Sequence, residues 1–261
     1  MAIVTISRGT FAGGEQLAAI LSGRLGYRSI SREVLYEHVR RGYGITQDEL
    51  VQIMTWAPTR FDQGPDHRRR LFVSIQASLC TLLRDDDVVY HGQAGHLLLP
   101  EIAHVVRVRL IAPRAKRIQM AMDSEGVSSH QASCKIDQVD SERARWTEFV
   151  FGANWADPAL YDVVLNLERM DLEEAAELVC ATVKLPGFRT TAESQGRLED
   201  LALKSAVMAE LLANPATADL ELKVETRAGA VSISGLNDRR LLDRVLEVAR
   251  GVPGVAEVRE A

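Results

Sequence analysis

The stretch Ser7-Arg-Gly-Thr-Phe-Ala-Gly-Gly-Glu-Gln16 has the residue types and the position best suited to chemistry. It follows the β-branched run Ile3-Val-Thr-Ile6 and precedes Leu17, Ile20, Leu21 and Leu25 at helical spacing, so it reads as the turn between a strand and a helix. Unpaired backbone N–H groups at such a turn and the helix dipole behind it both favour a phosphate. Ser7, Gly9, Thr10, Gly13, Gly14, Glu15 and Gln16 are therefore the candidate phosphate-binding residues. Against the phosphate-loop pattern G-x-x-x-x-G-K-[ST], Gly9 and Gly14 match, but Glu15 replaces the lysine and Gln16 the magnesium-binding hydroxyl. Shifting the frame by one residue makes Gly13 the final glycine and puts Gly14 at the lysine. Neither frame supplies a cation within the loop, and Arg8 is the one nearby. Taken alone, the glycines are equally consistent with a tight turn that binds nothing.

A second group of cations stands far along the chain. Arg143 and Arg145 alternate with Asp140 and Glu142 on a helical pattern, with Lys135 one turn or more before them. Such a mixture suits a solvated face. It equally suits a lid whose guanidinium groups fork onto phosphate oxygens, with Arg143 the stronger candidate. His91 and His96 have no carboxylate or cysteine partner at ligand spacing, so they read as loop histidines and no resident metal site is expected. Arg68-Arg-Arg70 reads as a surface cluster, and Trp146 and Trp155 as core or lid-packing aromatics.

These residues must be positioned by a regular framework. Short apolar strands fit Val88-Val-Tyr90, Val106 to Ile111 and Val163-Val-Leu165, with helical patterns between them, which implies a parallel α/β sheet. Thr46 with Glu49 reads as a capping box ahead of Leu50, Ile53 and Met54, and Asp171 with Glu174 as another. Leu71, Phe72, Ile75, Leu79, Leu82 and Leu83 form one face of a longer helix. After Leu185-Pro-Gly-Phe188 and a polar stretch, a helix carrying Leu198, Leu201, Val207 and Leu211 begins a second pattern. It continues with an alternating strand over 220–226, a turn at Ala228-Gly229, a strand over 231–234, a helix from Asn237 or Asp238, and a closing strand over 255–259. The expected division is residues 1–184, a linker over 185–197, and an αββαβ module over 198–261.

At 261 residues with a net charge of −5, the chain has no sequence-wide basic field for nucleic acid or an anionic membrane. No stretch reaches the roughly 20 apolar residues of a membrane span. Cys80, Cys134 and Cys180 are widely spaced and read as reduced thiols, so a cytoplasmic protein is expected.

Ile6-Ser-Arg8, Gly13-Gly14, Leu25-Gly-Tyr27 and Ile30-Ser-Arg-Glu-Val-Leu35 together resemble the opening of the cytidylate kinase-like proteins. The likeness continues through His91-Gly-Gln-Ala-Gly95, Val106 to Ile111 with Arg117-Ile118, Asp140-Ser-Glu-Arg143, and Asn154-Trp-Ala-Asp-Pro158 with Tyr161 to Asn166. It covers residues 1 to about 183. The resemblance implies a five-stranded parallel P-loop sheet and phosphoryl transfer from ATP, with magnesium, to a nucleoside monophosphate such as CMP. It also implies a catalytic role for Arg8, Arg143 and Arg145, an acceptor site including Ser31, Arg32, Gly92 and Gln93, and a lid containing Lys135, Asp140 and Arg143.

True cytidylate kinases have a loop lysine, and an Arg-Asp pair where this chain has Gln93 and Ala94. Relatives without the lysine often carry Arg where Glu15 stands. Three readings therefore stay open: a nucleotide phosphotransferase, a non-catalytic sensor of a nucleotide or other phosphate-bearing molecule, or an interaction protein that kept the fold and lost the ligand. The carboxy-terminal order, with Ala230 to Gly235 and Arg250 to Val258, resembles a BON domain. That resemblance implies binding of a ligand or a lipid surface, whereas the module's own residues, with no catalytic constellation and no basic apolar surface, read as a regulatory or self-associating appendage.

Overall fold

The computed structural model describes residues 2–50, 65–236 and 238–261. The expected helical residues Ile53 and Met54, and Asn237, lie outside the described residues. Contacts divide the chain into two compact units. One contains residues 2–34 and 85–190, and the other contains residues 35–50, 65–84 and the chain from Thr191 onward.

In the first unit, strand β1 (Ile3–Arg8) leads into helix α1 (Gly14–Leu25), then β2 (Arg28–Ile30) and the start of α2 (Arg32–Tyr43). After α3 (Pro65–Leu83), which belongs to the other unit, come β3 (Val88–Tyr90), the short α4 (Gly95–Leu98) and β4 (Val105–Ile111). Helices α5 (Arg114–Glu125) and α6 (Ser129–Phe151), strand β5 (Val163–Asn166) and helix α7 (Leu172–Val183) complete it. All five strands are parallel, in the order β2-β3-β1-β4-β5. The apolar strand residues bury against the helices: Val4, Ile6, Val89, Val106, Val108 and Leu165 share a core with Leu17 and Leu21 of α1 and Ala175, Ala176 and Val179 of α7. Burial on this scale is what offsets the entropy of ordering the loops above the sheet. Parallel order brings the carboxyl ends of β1, β3 and β4 to one edge, where ligand sites form in open α/β sheets.

Local signals open the helices where physical chemistry asks. Ser128 and Asp171 form complete capping boxes for α6 and α7, and Thr46 exchanges hydrogen bonds with Glu49 ahead of buried Leu50.

The second unit contains α3, α8 (Ala192–Ala213), an antiparallel pair β6 (Lys223–Arg227) and β7 (Ala230–Ser234), α9 (Leu242–Arg250), and β8 (Glu257–Glu260), which is parallel to β7. Ala228 and Gly229, both at positive φ, make the two-residue hairpin turn. The helix expected from Asn237 or Asp238 opens as a 3₁₀ turn over Arg239–Leu241, capped by Asp238. The arginine run expected at the surface is partly buried: Arg69 donates to the Leu222 carbonyl at 3.0 Å and Arg70 to that of Tyr43 at 3.2 Å. None of the three cysteines is disulfide-bonded. No helix among the described residues is long and apolar enough to cross a membrane.

Candidate functional site

The loop between β1 and α1 closes on Gly13, which caps α1 in the left-handed region at φ 82°, a conformation that glycine adopts without steric cost. Gly14 is the first helical residue. Since a phosphate-loop lysine directly follows the final glycine, this geometry corresponds to the frame in which Gly14 stands at the lysine and Glu15 at the hydroxyl. A Cβ placed on Gly14 would lie 2.6 Å from Cδ of Arg8 and 2.9 Å from its Nε. The Arg8 side chain therefore fills the space into which a side chain at the lysine position would project. Burial lowers the Arg8 pKa, and the nearby Arg32 guanidinium lowers it further, while Tyr90, Glu33 and Glu15 oppose the shift. Glu15 and Gln16 are exposed on the first turn of α1.

Helix α6 lies against this loop. Arg143 Nη1 donates to the Arg8 carbonyl at 2.8 Å, and its guanidinium sits 5.4 Å from the Trp155 ring centre. Burial and the charge of Arg8 bring the Arg143 pKa down to about 10, against the opposing pull of Asp140. Asp140 accepts from both the backbone N–H and the hydroxyl of Thr10, and pairs with Arg117 of α5. Arg117 Nε donates to the Thr10 carbonyl at 2.7 Å, and a Cβ on Gly9 would meet its guanidinium at 3.0 Å.

Beneath the loop lies a buried polar cluster. The Tyr161 hydroxyl donates to the Trp155 carbonyl at 2.7 Å and lies 3.1 Å from both Ser7 Oγ and His96 Nε2. Arg109 of β4 reaches the same hydroxyl at 3.3 Å and stacks 4.3 Å from the Trp155 ring centre. Burial, with Arg109 and Arg107 nearby, pushes His96 down to about 3, so it is neutral at ordinary pH. Ser7, Arg8, Gly92, Gln93, Ala94, His96, Arg143, Thr147 and Trp155 line a narrow cavity of about 10 Å³, enough for one water molecule.

The loop after β3 wraps the fully buried Tyr90 ring. Cβ atoms on Gly92 and Gly95 would lie 2.0 and 2.5 Å from ring or hydroxyl atoms, and the Tyr90 hydroxyl donates to the Gln93 carbonyl at 3.3 Å. Only glycine fits at both positions.

The sequence model described as the cytidylate kinase-like family matches residues 3–169, and that of the BON domain matches residues 199–261. The chain belongs to the cytidylate kinase-like family. It is 21% identical over 164 residues to a cytidylate kinase of Thermococcus kodakarensis, spanning 63% of this chain and 78% of that protein. It is 23% identical over 178 residues to the cytidylate kinase of Thermoplasma volcanium, spanning 67% and 88%. Among solved structures, an uncharacterized protein from Eubacterium ventriosum superimposes with a TM-score of 0.55 at 16% identity, covering 70% of this chain and 97% of that one.

In this cytidylate kinase-like chain, Arg8, Gly9, Thr10, Gly13, Gly14, Asp140 and Arg143 come together around one loop. Ser7 turns its hydroxyl inward to Tyr161. Gly92 and Gln93 line the same narrow cavity as Arg8 and Arg143. Ser31 instead accepts from the Val34 N–H, while exposed Arg32 pairs with Glu33. Lys135 pairs with Glu125 at 2.6 Å, its ammonium 5.6 Å from the Phe11 ring centre, and Arg145 is exposed. Arg117, Arg109, His96 and Tyr161 join the site without having been singled out as ligand-binding residues from the sequence. Arg117 alone carried a usable signal, a cation one turn into the helix after β4.

Proposed function

We propose that the chain is an ATP-dependent nucleoside monophosphate phosphotransferase in which Arg8 supplies the positive charge that a phosphate loop ordinarily takes from lysine. One observation carries this reading: the Arg8 side chain fills the space beside Gly14 from which that lysine would reach. Catalysis of phosphoryl transfer is mainly positioned positive charge, so a guanidinium at that place meets the principal requirement. Arg143 adds a second guanidinium, and the N–H groups opening α1 add the helix dipole. The family membership and the cytidylate kinases among its relatives support a nucleoside monophosphate, CMP first, as acceptor.

Glu15, exposed at the hydroxyl's place in the loop, offers an oxygen ligand of the kind magnesium prefers, with the remaining positions left to phosphate and water. Magnesium bound with ATP would neutralise charge on the phosphates. Arg8 would hold the phosphate chain, Arg143 would follow the transferred group, and Gln93 would face the acceptor.

Turnover is expected below the roughly 1–100 s⁻¹ of ordinary kinases. Arg8 is half-buried, and Gln93 and Ala94 replace the Arg-Asp pair of true cytidylate kinases. A coupled assay with CMP, dCMP and UMP, run beside Arg8→Ala, tests the proposal. Slow magnesium-dependent transfer that Arg8→Ala abolishes supports it, and transfer indifferent to Arg8→Ala refutes it.

The second reading, a non-catalytic sensor of a phosphate-bearing ligand, draws support from the narrow cavity beside Gln93. It predicts ATP binding with no transfer to any acceptor. The BON domain would then pass the signal to a partner or a second copy of the chain. A boundary within residues 185–197 is supported by the gap between the two family matches. Consumption of ATP suits a cytoplasmic site of action.

A further inference from the structure

The phosphate loop already holds an anion, and that anion belongs to the chain. Asp140 Oδ1 accepts from Thr10 N–H at 2.9 Å and from Thr10 Oγ1 at 2.8 Å. Its other oxygen pairs with Arg117, which also grips the Thr10 carbonyl and covers Gly9. Arg143 stands 3.6 Å from the same carboxylate. A backbone N–H, a hydroxyl and two guanidiniums are the donor set with which proteins bind phosphate oxygens, and here one carboxylate takes the N–H, the hydroxyl and the Arg117 guanidinium with Arg143 beside it. The side chains of Asp140, Arg117 and Arg143 are 21%, 14% and 14% exposed, so solvent and salt screen them only in part.

We infer that Asp140 is an internal counter-anion that latches the phosphate loop, and that a polyphosphate must displace it in order to bind. The inference rests on the nucleotide reading above and names how that site is regulated. A polyphosphate entering beside Asp140 meets a like charge at close range and competes for Arg143 and Thr10. The latch therefore lowers affinity until the carboxylate swings away. A carboxylate serving only to brace the loop has the opposite signature, because weakening it loosens the loop and weakens binding.

Asp140→Asn separates the two roles. The amide keeps an oxygen to accept from Thr10 but removes the charge. Calorimetric titration of the full chain with ATP and with inorganic tripolyphosphate, at low ionic strength, should show roughly tenfold tighter binding to the variant for both ligands, with the gain shrinking as salt is added. Amide hydrogen exchange on the ligand-free protein adds a readout that needs no ligand. The Thr10 N–H should be protected in the unmodified chain and lose that protection in Asp140→Ala. Binding by the unmodified chain that Asp140→Asn leaves unchanged or weakens overturns the latch alone, as does Thr10 exchange indifferent to Asp140→Ala. Failure of both proteins to bind either polyphosphate overturns the nucleotide reading and the latch with it.

Discussion

Replacing Gly92 with alanine should destabilise the sheet-bearing unit by about 2–4 kcal/mol, although the change adds a single methyl group. The new Cβ would sit 2.0 Å from the Tyr90 hydroxyl, 2.2 Å from Cζ and 2.6 Å from Cε2. Tyr90 has no exposed surface and lies in a strand paired on both sides, so its ring has nowhere to retreat. Overpacking of this kind costs about 1–3 kcal/mol. Moving the loop to relieve it breaks the bond from the Tyr90 hydroxyl to the Gln93 carbonyl, worth about 1 kcal/mol more. Urea denaturation followed by tryptophan fluorescence reads the effect, since Trp146 and Trp155 both lie in this unit. A double-mutant cycle with Tyr90→Leu supplies the decisive number. With the ring gone, Gly92→Ala should cost under about 0.5 kcal/mol, leaving a coupling of at least about 1.5 kcal/mol. Additive effects of the two substitutions would refute the claim that the ring dictates the glycine.

Gly23→Ala should do the reverse and stabilise by about 0.5–1 kcal/mol, because Gly23 lies inside α1 with open space where its Cβ would go. Asp171→Ala should cost about 1 kcal/mol in the same denaturation assay, since it removes the capping box that opens α7. His96 has a folded pKa of about 3 against an ordinary 6.5, so the unfolded chain binds the extra proton between these values. Stability should therefore be fully present above about pH 6.5 and fall as pH drops toward 3. His96→Gln should flatten that slope in thermal melts across the range. Arg143→Ala should weaken ATP binding about tenfold or more in calorimetry by removing a charge-assisted donor worth roughly 1.5–3 kcal/mol, and unchanged affinity at low salt would make α6 a bystander.

The strand-turn-helix opening and the capping boxes were legible because their signals are local. The β-branched run before Ser7 becomes β1, but the strand runs on through Ser7 and Arg8 and α1 opens at Gly14, so the expected turn shrinks to residues 9–13 and Ser7 and Gln16 lie in the flanking elements. β2 was not legible from residue pattern. In Arg28-Ser-Ile30 only Ile30 is buried, as suits an edge strand, and the fifth strand was expected from family likeness instead. In the alternation Val106-Arg-Val-Arg109 of β4 the two arginines fall on the same face, where a sequence pattern treats them alike. Yet Arg107 faces Asp162 at the surface while Arg109 is buried against Trp155 and Tyr161. The Asp140–Thr10 contact joins residues 130 apart, and neither type of residue announces such a partner. The fold rests on periodicities that a single segment displays, whereas the site rests on meetings between segments.

Those meetings order events in time. β1 is synthesised well before its neighbours β3 and β4, which begin at Val88 and Val105, and the residues that fasten its loop come later still, at Asp140, Arg143 and Tyr161. Closing contacts over 130 to 154 residues demands a large loss of chain entropy before any reward, so they form late. A chain emerging from the ribosome carries its glycine loop unfastened while the 130 residues between Thr10 and Asp140 are made. A product truncated before Asp140 could assemble four of the five sheet strands and still present a loop with no partner from α6.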